Sequence, residues 1–371
     1  MYKDIYDFSN LLTAYKKARP GKLNNPVSNK FEINMLEYII HLSDQLKNKT
    51  YVPGKTTKFK VYCPKERDIE SNTFRDKVVQ HSLCDNVLYP TIQPKFILDN
   101  YASQTGKGVS FGLQRLEKHL KHYYFSRKYN PNYDGNYADG WVLKCDIRKF
   151  FANIRHDILK KKIREVFEDE EVIELLELII NSVKDPSLPI GFQSSQLLSL
   201  LLLNDFDHMI KEKLRIKGYG RYVDDFYLIH EDKEYLKYCL KTIREYLSQY
   251  GLELNEKTQI FPLRNGIDFL GFHTYLTESG KVIRKLRKTS KDNMRRKLKR
   301  FKKMYDRGYI SMDEIYQSYV SWKAHAKNGN TYHLIKEMDK LYDSLFLKQE
   351  VDTLENNFSE KQKHEGQNET T

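Results

Sequence analysis

Apolar positions recur at helical spacing from Phe31 to Asn48, where Phe31, Met35, Leu36, Ile39, Ile40 and Leu46 suit one face of a helix. Tyr51 to Pro64 then alternates in part, with Lys55, Lys58 and Lys60 set among Thr57, Phe59 and Val61, which predicts a strand or hairpin. Helical sequence returns from Thr73 to Tyr89, with Pro90 expected to end it, and again after Gly106-Lys107-Gly108 through Leu113, Leu116 and Leu120. Ser126 to Gly140 has turn chemistry and little periodicity, so it reads as a loop separating two lobes. From Trp141 the pattern changes to a short strand closing at Asp146, followed by helices from His156 to Phe167 and from Glu171 to Val183. Leu188 to Ile210 contains a leucine-rich run expected as a buried helix, and Tyr219 to His230 reads as strand, turn, strand around Asp224-Asp225. A further amphipathic helix carries Leu236, Leu240, Ile243 and Leu247 at spacings of four, three and four. The order of these elements predicts an α+β chain. The segment from Glu350 to Thr371 is polar and is expected to be disordered.

Length changes this picture little, since 371 residues can bury a large core without disulfides or a structural metal. Cys63, Cys84, Cys145 and Cys239 form no CxxC pair and are expected as reduced, buried thiols of a cytoplasmic protein. No apolar run reaches signal-peptide or membrane-span length, which predicts a soluble chain without a membrane partner. Charge adds more. The net charge is +13, and the segment from Lys281 to Arg307 holds fourteen Lys or Arg against only Asp292 and Asp306. A polyanion is the simplest partner for such a segment, although a solvated helix face would look similar. Lys291, Arg295, Lys299 and Lys302 follow at spacings of four, four and three, the stripe expected to meet nucleic-acid phosphates.

The candidate chemistry lies in three carboxylates. Asp146 closes its strand, and Asp224-Asp225 interrupt a β-favouring apolar run, flanked by Tyr222-Val223 and Phe226-Tyr227-Leu228-Ile229. An ordinary Asp-Asp turn does not need such flanks. If the strands are neighbours, the carboxylates converge as oxygen ligands for hard divalent cations. Two such ions roughly 3.5–4 Å apart can activate a primer 3′-hydroxyl and stabilise leaving pyrophosphate.

At this point the residues resemble the reverse transcriptase family. Lys144-Cys145-Asp146-Ile147-Arg148-Lys149-Phe150-Phe151 resembles its A motif and Arg221-Tyr222-Val223-Asp224-Asp225 its C motif. Arg67-Asp68-Ile69 and Phe74 to His81 are similar to the fingers motifs, Leu254-Asn255-Glu256-Lys257-Thr258 to motif D, and Phe269-Leu270-Gly271-Phe272 to the primer-grip motif E. The resemblance spans about residues 50 to 330. It implies a right-hand polymerase with an antiparallel palm sheet: residues 1–140 as N-terminal region and fingers, 141–275 as palm, 276–349 as a basic helical thumb, and 350–371 as tail. It also implies two Mg2+ ions, replaceable by Mn2+, on Asp146, Asp224, Asp225 and Ile147, with Lys257 joining the carboxylates in catalysis. Arg67 would reach the incoming triphosphate, and Phe151, rather than its neighbour Phe150, would exclude a ribose 2′-OH. Arg75, Lys77, Gln80, Tyr222, Leu270 and Gly271 would touch nucleic acid. The implied partners are template RNA, a DNA or RNA primer, dNTPs, and a small accessory protein or structured non-coding RNA.

Motif B, Leu188 to Gln196, departs from the commoner family form, with Ile190 before Gly191 and Gln196 after the serine pair. These three residues would line the nucleotide site. The variant resembles the enzymes of diversity-generating retroelements, which copy RNA with errors at adenines, as does the segment from Ser321 to Tyr332. An apolar Ile190 in place of an amide removes hydrogen-bonding capacity near the nascent pair. Bacterial reverse transcriptases of phage defence share much of the pattern, so both roles stay open. A catalytically dead RNA-binding protein is disfavoured by the intact Asp146, Asp224 and Asp225, and an RNA-dependent RNA polymerase by Phe151. His119 and His122 lack companion ligands for zinc, and Gly106-Lys107-Gly108 lacks the rest of a P-loop. The tyrosines from Tyr123 to Tyr137 fit base stacking and a plain aromatic loop equally well.

Overall fold

The computed structural model describes residues 1–21, 31–62 and 66–347; the expected disordered tail and Cys63 lie outside them. The chain divides into two compact units, one of Met1–His119 with Asp139–Pro262 and the other of Leu120–Ala138 with Leu263–Thr371.

In the first unit a hairpin comes first, with β1 (Thr57–Val61) antiparallel to β2 (Arg67–Ser71). Its main sheet is four-stranded and antiparallel, in the order β4 (Gly218–Tyr222), β5 (Asp225–His230), β3 (Trp141–Asp146), β6 (Gln259–Pro262). The two central strands are buried on both faces: Val142, Leu143 and Cys145 of β3 and Phe226, Tyr227, Leu228 and Ile229 of β5 belong to the core. That explains why these strands read as continuous apolar runs rather than alternating ones. Helices His156–Val166, Glu170–Asn181, Gln193–Leu202 and Lys233–Gln249 supply the apolar partners. Cys84, Cys145 and Cys239 are free and buried, and burial pushes the Cys145 thiol up to about 12.

One expectation is corrected here. The helix starting at Phe74, capped by the Thr73 hydroxyl, does not stop at Pro90. It passes through a π turn at Cys84–Leu88 and resumes as Tyr89–Ile92, with the proline in its first turn. The proline thus falls in the first turn of a renewed helical segment, where a missing N–H is tolerated. The buried leucine-rich helix expected within Leu188 to Ile210 is Gln193–Leu202, and Leu188 to Phe192 before it form a turn that serves the site.

The second unit has a three-stranded antiparallel sheet, β7 (Ile267–Phe269), β8 (Phe272–Leu276) and β9 (Val282–Leu286). Helices Lys288–Tyr305, Met312–Ala326 and Tyr332–Phe346 bury Met294, Leu298, Ile315, Tyr319, Met338, Tyr342 and Phe346 against one another. A capping box between Ser311 and Glu314 fixes the start of the middle helix. The segment expected as a loop from Ser126 is helical to Lys128, and its residues up to Ala138 belong to this unit, with the Tyr124 hydroxyl donating to the Glu278 carbonyl.

Candidate active site

The register of the main sheet brings the acidic residues together. Asp146, last in β3, lies directly opposite Asp225, first in β5, so both side chains leave the same face. Asp224 sits in the two-residue turn joining β4 to β5, and its carbonyl accepts the Ile147 N–H at 3.1 Å. Val223 takes a φ of +59°, the only positive value in that turn, which matches the II′ hairpin geometry that usually demands glycine. Burial raises the Asp224 carboxyl above its ordinary value, the Asp146 charge raises it further, and Arg67 and Lys144 act in the opposite sense. Lys144, two residues before Asp146 on the same face, pairs with Asp225.

This donor set fits a divalent cation. It consists of hard oxygen ligands that repel one another, with an ammonium group lying where positive charge is favoured. Among the described residues no three His, Cys, Asp or Glu side chains close into a ready metal cage. Mg2+ does not need one, since it is commonly held by one or two carboxylates with waters and substrate phosphates completing the shell.

A cavity of about 530 Å³ is lined by Lys58, Phe59, Asp68, Ile69, Glu70, Phe151, Ser187 and Ile190 among others. Phe150 and Phe151 divide as their junction allows: Phe150 is 2% exposed in the core, whereas Phe151 is half-buried and faces the cavity. The Phe151 carbonyl accepts the Leu188 N–H at 2.7 Å, tying the motif B turn to the segment that carries the ring. Gly191 is required there, because a Cβ at this position would stand 2.4 Å from the Glu70 carbonyl oxygen of β2. Arg67 opens β2 and is exposed. Gln196 receives the Ser103 hydroxyl at 3.4 Å.

The remaining expected site residues range from buried to exposed. Gln80 is 2% exposed, and its side-chain oxygen accepts from the Ser194 N–H and hydroxyl, so it braces the motif B helix from within and offers a strand nothing in this structure. Arg75 donates to the Val52 carbonyl and lies over the Tyr51 ring, and partial burial lowers the Lys77 pKa. Lys257 is exposed on a turn, with its N–H donating to the Asn255 side chain. Tyr222 is half-buried opposite Asp225. In the second unit, Leu270 and Gly271 form the β7–β8 turn with φ of +49° and +88°. On helix Lys288–Tyr305, Lys299 is exposed and Lys291 half-buried, but Arg295 pairs with Asp292 and Glu337, and Lys302 with Asp306 at 2.5 Å. The exposed basic stripe of that helix is Arg296, Lys299, Arg300 and Lys303.

Two residues that bear on the carboxylates, one directly and one through Arg221, carried no signal strong enough to be singled out. Asn255 donates its N–H to the Asp146 carbonyl at 2.7 Å and its side-chain amide to Asp146 Oδ1 at 3.3 Å. Asp207 binds Arg221, beside the hairpin. Only the turn-forming Leu254-Asn255-Glu256-Lys257 could have pointed to the first; the second pairs residues fourteen positions apart through the fold.

An antiparallel sheet presenting acidic residues at a strand end and hairpin tip, within an α+β chain, defines a polymerase-type domain. The chain belongs to the reverse transcriptase (RNA-dependent DNA polymerase) family, which it matches over residues 68–274. Members of that family are nucleotidyltransferases that work with divalent metal ions, and this chain carries their catalytic domain. It is 25% identical to protein YkfC of Escherichia coli, over 62% of this chain and 69% of that protein. Among solved structures it is similar to apo telomerase from Candida tropicalis (14% identity, TM-score 0.44, 62% of this chain and 48% of that one). It is also similar to Candida albicans telomerase in complex with a TWJ fragment of telomeric RNA (15% identity, TM-score 0.44, 63% and 45%). The chain thus spans about half the length of these telomerase chains. No helix among the described residues is long and apolar enough to cross a membrane.

Proposed function

We propose that this chain copies an RNA template into DNA, extending a DNA or RNA primer with dNTPs on two Mg2+ ions held by Asp146, Asp224 and Asp225. The observation that carries the reading is the in-register opposition of Asp146 and Asp225, with Asp224 in the adjoining turn. Bound there, the ions would acidify the primer 3′-hydroxyl and neutralise the leaving pyrophosphate. Asp146 and Asp224-Asp225 hold and orient, with the Ile147 carbonyl as a further ligand, while Asn255 fixes Asp146 from the side through two hydrogen bonds. Lys257, in the same turn as Asn255, is assigned to the catalytic set. Arg67, whose charge already acts on Asp224, meets the triphosphate. Phe151 closes the cavity against a 2′-OH, and Ile190, Gly191 and Gln196 shape the pocket for the nascent pair. In this scheme the hairpin of β1 and β2 belongs to the fingers, residues 141–275 to the palm, where Leu270 and Gly271 contact the primer, and the helices from Lys288 onward to the thumb.

The role that fits best is mutagenic copying in a diversity-generating retroelement, because Ile190 presents an apolar side chain to the cavity where an amide would add base-dependent hydrogen bonds. Sequencing cDNA made from a defined RNA tests this: substitutions concentrated at template adenines support it, and uniform fidelity assigns the chain to another role, such as phage defence. The polymerase reading is tested by primer extension in Mg2+. Asp224→Asn should abolish extension while RNA binding persists, and equal loss of both would give Asp224 a structural role instead.

A further inference from the structure

Beside the acidic hairpin lies a buried ion pair that the chemistry above does not use. Arg221 and Asp207 are both fully buried, at 0% exposure. The guanidinium grips the carboxylate with two bonds, Nε to Oδ1 at 2.7 Å and Nη2 to Oδ2 at 2.5 Å. Its third nitrogen, Nη1, reaches forward to the Val223 carbonyl at 2.7 Å. Asp207 is itself held by the Tyr219 hydroxyl at 2.5 Å and the Asn100 amide at 3.4 Å. The Arg221 backbone is pinned as well, its N–H donating to Asp99 O at 2.9 Å and its carbonyl accepting from Tyr101 N at 3.0 Å. The backbone and the guanidinium are therefore both held, and Nη1, the nitrogen not spent on Asp207, ends on the peptide that joins Val223 to Asp224.

A buried ion pair is weak evidence of stabilisation, since apolar residues of similar volume often serve as well. What apolar residues cannot do is hold a carbonyl. Val223 is a β-branched residue at φ +59°, a conformation such residues adopt only when their surroundings enforce it. We infer that the Arg221–Asp207 pair is a positioning device: it locks the Val223–Asp224 peptide, and thereby aims the Asp224 and Asp225 carboxylates. The inference rests on the reading of those carboxylates as metal ligands.

The test replaces both partners at once, Arg221→Met with Asp207→Leu, so that no buried charge is left alone. Mn2+ binding to the purified full chain is measured by the EPR signal of free Mn2+, beside single-nucleotide incorporation and the melting temperature. The double variant should fold, bind Mn2+ about tenfold more weakly and turn over about 10²-fold more slowly, the penalty typical of reacting groups held about 1 Å out of place. Template–primer affinity should stay within about twofold of wild type, because the pair is buried away from any strand. A folded double variant with wild-type Mn2+ binding and turnover overturns the proposal. Should it not fold, Arg221→Lys decides on the same two readouts, since lysine keeps the charge beside Asp207 but has no fork to reach Val223. Asp224→Asn in parallel separates the two ideas. If it too binds Mn2+ and incorporates like wild type, the carboxylate reading falls; if it alone is dead, only the positioning role falls.

Discussion

Gly191→Ala is a one-carbon change with a calculable consequence. The added Cβ would lie 2.4 Å from Glu70 O, 3.2 Å from Glu70 C and 3.4 Å from Ile69 Cγ2. The first two are backbone atoms of β2 and cannot rotate away, so the turn and the strand must separate by about 1 Å to restore ordinary contact. Overpacking of this kind costs about 1–3 kcal/mol, which in a chain of this size lowers Tm by roughly 1–4 °C. The displacement has a direction, because Ile190 next to it and Ile69 and Glu70 opposite all line the cavity that Phe151 faces. Opening that wall should lower kcat/KM for dNTP by about ten- to a hundredfold on a fixed template–primer. Thermal unfolding and steady-state incorporation by the purified variant read both effects. A Gly191→Ala protein with wild-type Tm and wild-type kcat/KM would refute the close approach and the assignment of this wall to the nucleotide.

Phe151→Ala should admit ribonucleotides in a dNTP-versus-NTP competition, whereas Phe150→Ala should cost about 3–5 kcal/mol of stability and leave sugar choice unchanged; identical behaviour of the two would remove the gate. Changing Arg296, Lys299, Arg300 and Lys303 to Gln should flatten the slope of log K against log salt by at most about 0.9 per lost phosphate contact. The set Lys291, Arg295, Lys299 and Lys302 should flatten it less, because two of its members are already paired, and equal slopes would assign no importance to which face is exposed. Asp99 is buried, which by itself raises its pKa, but hydrogen bonds from His119 and Arg115 and the charges of His119 and Lys211 hold it well below the ordinary 3.8. Its stabilising contribution is therefore complete above pH 3.8 and fades as pH falls toward the depressed folded value. Arg115→Met should cost on the order of 1–3 kcal/mol in urea denaturation at pH 7 and progressively less below that range, and a pH-independent difference would dissociate Arg115 from this carboxylate.

The parts of this account that were legible in the sequence share one property: they depend on neighbours along the chain. Two charges inside the apolar run from Tyr222 to Ile229 announced a hairpin tip, and the Trp141–Asp146 strand was visible because its run ends in a charge. Which Phe faces the cavity was posed by sequence and answered only by the short 3-10 turn at Phe150–Asn153. Gln80 lies in a helix whose motif suggested nucleic acid, yet its side chain is spent on Ser194, more than a hundred positions away. The basic helix was evident, but its exposed stripe depends on how Met294 and Leu298 turn toward the other two helices. Pro90 misled because a π turn upstream cannot be read from local propensity.

The central claim is that Asp146, Asp224 and Asp225 together carry nucleotidyl transfer. Single-turnover incorporation of one dNTP on an RNA template with a DNA primer, in Mg2+, compares wild type with Asp146→Asn most directly. The account predicts a rate at least about 10³-fold lower for the variant, with the template–primer Kd unchanged within about twofold. Incorporation by Asp146→Asn within tenfold of wild type would contradict it.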